Sequence, residues 1–158
     1  MKYRPITIAK IESGIVIDHI PAGKALLISQ VLGLNALARK TGDIIAIGIN
    51  FDSNSLEKKD IIKVENLSLT RNMLNVVALI APMATISRIE DGSVTEKHKV
   101  DVPDNVGDVV VCPDRFCITN YEQVPCKFFV VDKNRLTLRC HYCETEFFGP
   151  LIKYKERN

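Results

Sequence analysis

The sequence is poor in several features that mark particular classes of protein. Its 158 residues carry a net charge of only +2, which argues against a strongly basic nucleic-acid binder or a membrane-surface protein. No run approaches the roughly 18 apolar residues that cross a bilayer, and the N-terminus lacks the apolar stretch of a signal peptide. The remaining composition, 46% hydrophobic and 25% charged, indicates a globular protein of one domain or two small ones.

Material for catalysis is also scarce. The chain has three histidines, and it contains no P-loop, no dinucleotide-binding glycine motif, no nucleophile elbow and no His-Glu-x-x-His helix. The sequence therefore offers no catalytic constellation.

Cysteine is absent from the first 111 residues and then appears in two close pairs. Four residues separate Cys112 from Cys117, two separate Cys140 from Cys143, and 22 lie between the pairs. Two such turns form a tetrahedral cage of four thiolates, the preferred environment of structural Zn²⁺. A segment of under 60 residues buries little core of its own, so we expect the metal to substitute for one. An iron site and metal-free thiols are the alternatives.

The cysteine count also bears on the cellular compartment. Five cysteines, all in the last third of the chain, make a disulfide framework a poor explanation and favour a reducing cytoplasm with metal-bound thiolates. Cys126 is left over and is interpreted as a bystander. His141 lies inside the second pair and is interpreted as a surface side chain, since four sulfurs already complete the cage.

Residues 1–100 show the apolar periodicities of an α+β domain. The order βαββαβ is that of a ferredoxin-like fold, with two helices on one face of a four-stranded antiparallel sheet. A small all-β, zinc-ribbon-like domain is predicted over 101–158. The expected segments of the first domain are strands at 6–20, 43–51, 58–66 and 84–89, helices at 22–40 and 68–81, and an extended exit at 94–100.

Four polar side chains of the first domain indicate a nucleotide site without a motif. Asp18 and His19 end the first strand, and Lys59 and Lys63 share one face of the third. The first and third strands are neighbours in a ferredoxin-like sheet, so these groups can approach one another. A carboxylate and an imidazole can read ribose and base, and two ammonium groups can neutralise phosphates. A solvated strand end and a lysine-guarded sheet edge are the alternatives.

The segments 14–21, 58–66 and 81–89, together with the two cysteine pairs, resemble the regulatory chain of aspartate carbamoyltransferase. The resemblance implies a non-catalytic subunit of pyrimidine biosynthesis whose first domain binds CTP, ATP or UTP as an allosteric effector and pairs with a second regulatory chain. It implies that the zinc domain docks onto the catalytic chain, so that three regulatory dimers link two catalytic trimers.

The resemblance also assigns roles by position. It puts Asp18 and His19 near the phosphates and ribose, Lys59 and Lys63 near ribose and base, and Lys97 on phosphate. The residues that it puts around the base, sugar and phosphates are Ile11, Val16, Ile61, Thr85, Ser87, Ile89 and Val94.

Some positions depart from the family's pattern. Ala9 replaces a glutamate, Ser87 an asparagine and Gly92 a tyrosine, which leaves the ranking of the three nucleotides open. The positions that resemble contacts to the catalytic chain are Asp114, His141 and Glu144.

Two other classes of function compete with this interpretation. A zinc-ribbon nucleic-acid-binding protein would group basic and aromatic residues on one face, whereas the charge here is nearly balanced. A zinc hydrolase would need an open coordination position, which four cysteines do not leave.

Overall fold

The computed structural model describes residues 6–155. Its first half is an antiparallel sheet with helices on one face, and the strand order is β2-β3-β1-β4-β5. The predicted alternation of strands and helices is confirmed, as is the pairing of β1 with β3. The elements are β1 (Gly14–Pro21), α1 (Ala25–Leu32), α2 (Leu34–Thr41), β2 (Ile45–Ser53), β3 (Glu57–Glu65), α3 (Arg71–Ile80), β4 (Thr85–Glu90) and β5 (Ser93–Lys99).

Three details of the prediction were wrong. The sheet has five strands rather than four, because the expected exit segment pairs with β4 as an exposed edge strand. The helix expected over 22–40 is two helices, since Gly33 adopts a left-handed conformation (φ 68°) that ends α1. The first strand begins only at Gly14, where a side chain would collide with the carbonyl oxygen of Val64.

Alternation along the strands separates a buried face of the sheet from an open one. Ile15 and Ile17 of β1 and Ile62 and Val64 of β3 are at most 3% exposed, and they pack with the buried side of α3. The intervening residues of β1 and β3 face away from the helices and are half-buried. This second face carries most of the predicted nucleotide residues.

The second half is a small all-β unit, as predicted. Its sheets have the orders β10-β9-β8-β6 and β11-β7. Phe128 and Phe147 meet edge to face, with ring centroids 5.5 Å apart, and are the largest fully buried side chains of the unit. The strands are β6 (Asn105–Val106), β7 (Val110–Val111), β8 (Phe128–Asp132), β9 (Thr137–Cys140), β10 (Glu146–Phe147) and β11 (Lys153–Tyr154).

The two halves touch where β11 meets the end of α3. The Tyr154 hydroxyl donates a hydrogen bond of 3.3 Å to the carbonyl oxygen of Leu79, and buried residues of both halves form one contiguous cluster. Across residues 6–155, no helix has the length and apolar character needed to cross a membrane.

Candidate functional site

The four paired cysteines converge on one point in the second half. Their sulfur atoms all lie within 4.8 Å of one another, with Cys112 and Cys143 3.6 Å apart and Cys117 and Cys140 3.7 Å apart. A tetrahedral metal with sulfur ligands at about 2.3 Å requires sulfur–sulfur edges of about 3.8 Å. The donor set and its spacing therefore fit a metal ion such as zinc.

The two turns are built to point these sulfurs inward. In the first, Asp114 accepts a hydrogen bond from the Phe116 amide, and its carbonyl accepts one from Cys117. Asn120 ties the same turn together by donating to the carbonyls of Cys112 and Asp114. In the second turn, Glu144 adopts φ 61° and its amide donates to the Cys140 carbonyl. His141 and Glu144 are exposed.

Burial and hydrogen bonding act differently on the four thiols. Burial raises the pKa of Cys112 well above its ordinary value and also raises the pKa of Cys140. Burial opposes ionisation at Cys117 too, but hydrogen bonds from Thr119, together with those of Cys140 and Cys143, outweigh it and lower the pKa to about 7. A metal cation bound at this point would stabilise the thiolate form against the cost of burial.

Cys126 lies outside this cluster. It is 2% exposed, and its backbone amide donates to the Asp108 carboxylate, which also accepts from Lys155. The described residues therefore place the fifth thiol in the packed interior, apart from the four-sulfur cage.

The predicted nucleotide residues of the first half lie across neighbouring strands on the open face of the sheet. Strand pairing puts Lys63, Val16, Ser87 and Lys97 in one continuous row across β3, β1, β4 and β5. A second row joins Asp18 to Thr85, and a third joins Ile89 to Val94. These rows bring onto one surface residues as far apart in the chain as Val16 and Lys97.

An ion pair and a hydrogen bond occupy the end of this surface. The Lys59 ammonium lies 2.8 and 2.9 Å from the two oxygens of Asp18. His19 Nδ1 lies 3.2 Å from the Thr85 hydroxyl. Both side chains of the ion pair are about one-fifth exposed, so a ligand can reach them.

The Asp18 carboxyl is held in its ionised form. Burial raises its pKa, but the Lys59 hydrogen bond, the His19 amide and the Lys59 charge together lower the pKa below its ordinary value. The site therefore presents a fixed negative group beside lysine side chains.

The segment before β1 covers part of the open face. The Lys63 ammonium donates to the carbonyl oxygens of Ile8 and Ala9, at 3.3 and 3.0 Å. Ile11 is 7% exposed, whereas Val94 is 59% exposed at the sheet edge. The side chain at position 9 is thus dispensable for the backbone contact with Lys63.

Sequence reasoning missed Asp60. Its side chain is fully buried and accepts backbone hydrogen bonds from Gly23, Ala25 and Asn50. The alternation of β3 gave a usable signal, because it places this carboxylate on the same face as Ile62 and Val64.

Comparison with known proteins gives the same picture for both halves. Residues 6–101 match the model for the allosteric domain of the aspartate carbamoyltransferase regulatory chain, and residues 104–152 match the model for its metal-binding domain. The chain belongs to the aspartate carbamoyltransferase regulatory chains.

Individual aspartate carbamoyltransferase regulatory chains match over nearly their whole length. That of Pyrococcus horikoshii is 45% identical over 139 residues, covering 88% of this chain and 90% of the relative. That of Thermococcus sibiricus is 43% identical, covering 89% and 91%. That of Psychromonas ingrahamii is 40% identical, covering 91% and 93%. The four-cysteine cluster falls within the metal-binding match, and the open sheet face falls within the allosteric match.

Proposed function

We propose that this regulatory chain is non-catalytic and binds CTP, ATP or UTP on the open face of its five-stranded sheet. The observation that supports it is that the Asp18–Lys59 ion pair and the His19–Thr85 hydrogen bond lie together on one face, bordered by Lys63 and Lys97. The ion pair is about one-fifth exposed, whereas Thr85 is buried. This surface lies in the half that matches an allosteric domain.

The proposed contacts follow from the chemistry of each group. Asp18 and His19 act at the ribose and the adjoining phosphates, and Lys59 and Lys63 act near ribose and base. Lys97 is exposed on β5 and supplies a point charge for phosphate. The proposed apolar and small polar lining is Ile11, Val16, Ile61, Thr85, Ser87, Ile89 and Val94.

We further propose a division of labour at about residue 100. Residues 1–100 carry the effector site and the contact with a second regulatory chain, and residues 101–158 carry one structural zinc ion and dock onto the catalytic chain. Asp114, His141 and Glu144 belong to that docking face. In this proposal two catalytic trimers and three regulatory dimers assemble in the reducing cytoplasm, a compartment that suits metal-bound thiolates.

Regulation then works through differential binding. A nucleotide shifts the catalytic chains only if it binds one quaternary state more tightly than the other, and such coupling is typically about 1–3 kcal/mol. Zinc-ribbon nucleic-acid binding, the alternative considered from sequence, is not favoured, because both halves match regulatory-chain models.

Calorimetric titration with CTP, ATP and UTP tests the effector site. We expect Lys59→Ala and Lys63→Ala each to weaken binding roughly tenfold or more, because each removes a charge-assisted contact. Lys58→Ala is the matched control, since Lys58 lies on the same strand but pairs with the exposed Asp52. Equal affinities in all four proteins contradict the assignment.

A further inference from the structure

Asp60 is the only charged side chain that is fully buried in the part of the chain between residues 6 and 155. Its Oδ2 atom accepts from the amides of Gly23 at 2.8 Å and Ala25 at 3.1 Å, and its Oδ1 atom accepts from the amide of Asn50 at 2.9 Å. Three donors compensate a carboxylate that burial would otherwise penalise heavily. An apolar residue at this position would leave those three amides without an acceptor, so the carboxylate fixes three backbone segments at once.

The two strands that flank Asp60 both carry a bulge opposite it. On one side, Ile17 to Ile20 of β1 spans one residue more than the facing segment of β3, and His19 in the bulge adopts φ 58°. On the other side, the pairing of β2 with β3 slips by one residue between Gly48 and Phe51. Bulges redirect side chains and occur often beside functional sites.

We propose that Asp60 is a positioning residue for the nucleotide site. It holds the chain just beyond the β1 bulge, at the start of α1, and it holds the β2 bulge through Asn50. The backbone from which Asp18 and His19 project is thereby fixed without any contact between Asp60 and the ligand. This inference rests on the proposed function and names the residue that pre-organises its site.

Lys59, which precedes Asp60 on β3, holds the same segment from the opposite face of the sheet. Lys59 points to the open face and forms an ion pair with Asp18, which begins the β1 bulge. Asp60 points inward and accepts a hydrogen bond from the Gly23 amide, in the chain that follows the bulge. Lys59 and Asp60 together thus fix both ends of the segment from Asp18 to Gly23, which presents the polar groups. Fixing a site before the ligand arrives lowers the ordering cost of binding.

The test compares Asp60→Asn with Thr70→Ala. The asparagine has a single acceptor oxygen, and its NH₂ group faces backbone donors, so the bulge segment loosens. Thr70 caps α3 through the Met73 amide, away from the open face, so its loss lowers stability alone. We expect the dissociation constant for CTP and ATP to rise about tenfold in Asp60→Asn and to stay unchanged in Thr70→Ala, by calorimetry below both unfolding midpoints.

A glycine pair keeps the test decisive if Asp60→Asn does not fold. Gly23 (φ 86°) and Gly42 (φ 79°) both have open space around an added Cβ, so alanine strains the two turns alike. Of these two glycines, only Gly23 donates a hydrogen bond to Asp60. We expect Gly23→Ala to weaken nucleotide binding several-fold and Gly42→Ala to leave it unchanged.

The outcomes separate the two proposals. If the unaltered chain binds no nucleotide, the proposed function fails. If it binds and every folded variant at Asp60 and Gly23 retains its affinity, the effector site stands and the positioning role of Asp60 is overturned. NMR signals of the His19 ring give a second readout, and we expect them to move on Asp60→Asn as the bulge is displaced.

Discussion

The two halves of this chain reach stability by different means. Among residues 6–155, eight of the twelve largest fully buried side chains lie in the sheet-and-helix half and four in the small β half. The first half therefore buries more apolar surface in total, and that burial is its main source of stability. The second half has Phe128, Phe147, Leu138 and Val106, and beside them four sulfur atoms aimed at one point. A metal ion at that point therefore replaces part of the hydrophobic core that the small β half lacks.

Removing the metal gives the sharpest break between the halves. We expect Cys140→Ser, or a strong chelator, to unfold residues 104–152 while β1–β5 stay folded. The reason is that metal ligation in small zinc domains contributes about 10–16 kcal/mol, as much as the whole stability of an ordinary domain. Amide NMR spectra resolve the two halves and measure the loss directly.

Cys126→Ser is the control for this experiment, because Cys126 is equally buried but lies outside the cage. It keeps the metal and costs far less stability. If the metal-free Cys140→Ser protein still gives the dispersed amide spectrum of a folded β half, the metal ion does not replace part of its core.

The contact between the halves offers a smaller effect. Burial raises the pKa of Tyr154 to about 12, and its hydroxyl donates to Leu79 at the end of α3. Tyr154→Phe should cost about 1 kcal/mol at neutral pH, the net worth of one hydrogen bond. Because the folded pKa is raised, the contribution is complete below about pH 10 and is lost as the pH rises to about 12.

Urea unfolding between pH 8 and 12 measures this difference. The matched control is Tyr142→Phe, since the Tyr142 hydroxyl donates to Pro125 within the β half and is exposed. The alkaline loss should shrink in Tyr154→Phe and persist in Tyr142→Phe. The same slope in both variants means that Tyr154 does not join the halves.

The sequence predicted the repeating features of this fold and missed those that depend on distant partners. Strand alternation and helical stripes identified the order of elements, and the cysteine spacing identified the four-sulfur cage, because both are local patterns. The fifth strand, Ser93–Lys99, forms by pairing with β4, and its polar sequence alone does not predict that pairing. The break at Gly33 depends on its left-handed conformation, whereas in the sequence a single glycine only weakens the expected helix.

In the candidate effector site, too, the features set by local pattern were predictable and those set by distant partners were not. Lys59 and Lys63 were recognisable because alternation puts them on one face of β3. The bulge at His19 and the three backbone donors to Asp60 arise from register shifts between strands, and a single sequence does not encode a register shift in any local pattern. The geometry of the site therefore had to come from the structure.

The smallest effect that we expect is on the acid sensitivity of stability, for which one ion pair from each half is compared. In the first, Asp18 and Lys59 are about one-fifth exposed, and after the opposing effect of burial the lysine lowers the pKa of Asp18. In the second, the hydrogen bond from Lys155 lowers the pKa of Asp108, whose side chain is 52% exposed. Depressed pKa values in the folded state stabilise it above about pH 4, and this stability is lost as the pH falls through them.

Because solvent screens the more exposed pair, Asp18→Asn should remove more of the acid sensitivity than Asp108→Asn, with both effects at or below about 1 kcal/mol. Amide NMR of the nucleotide-free, metal-loaded chain, followed from pH 6 down to pH 3, measures each variant in its own half against the unaltered chain at the same pH. An equal or larger effect at Asp108 means that burial at the open face of the sheet does not strengthen its ion pair, and the face is then more solvated than its side-chain exposures imply.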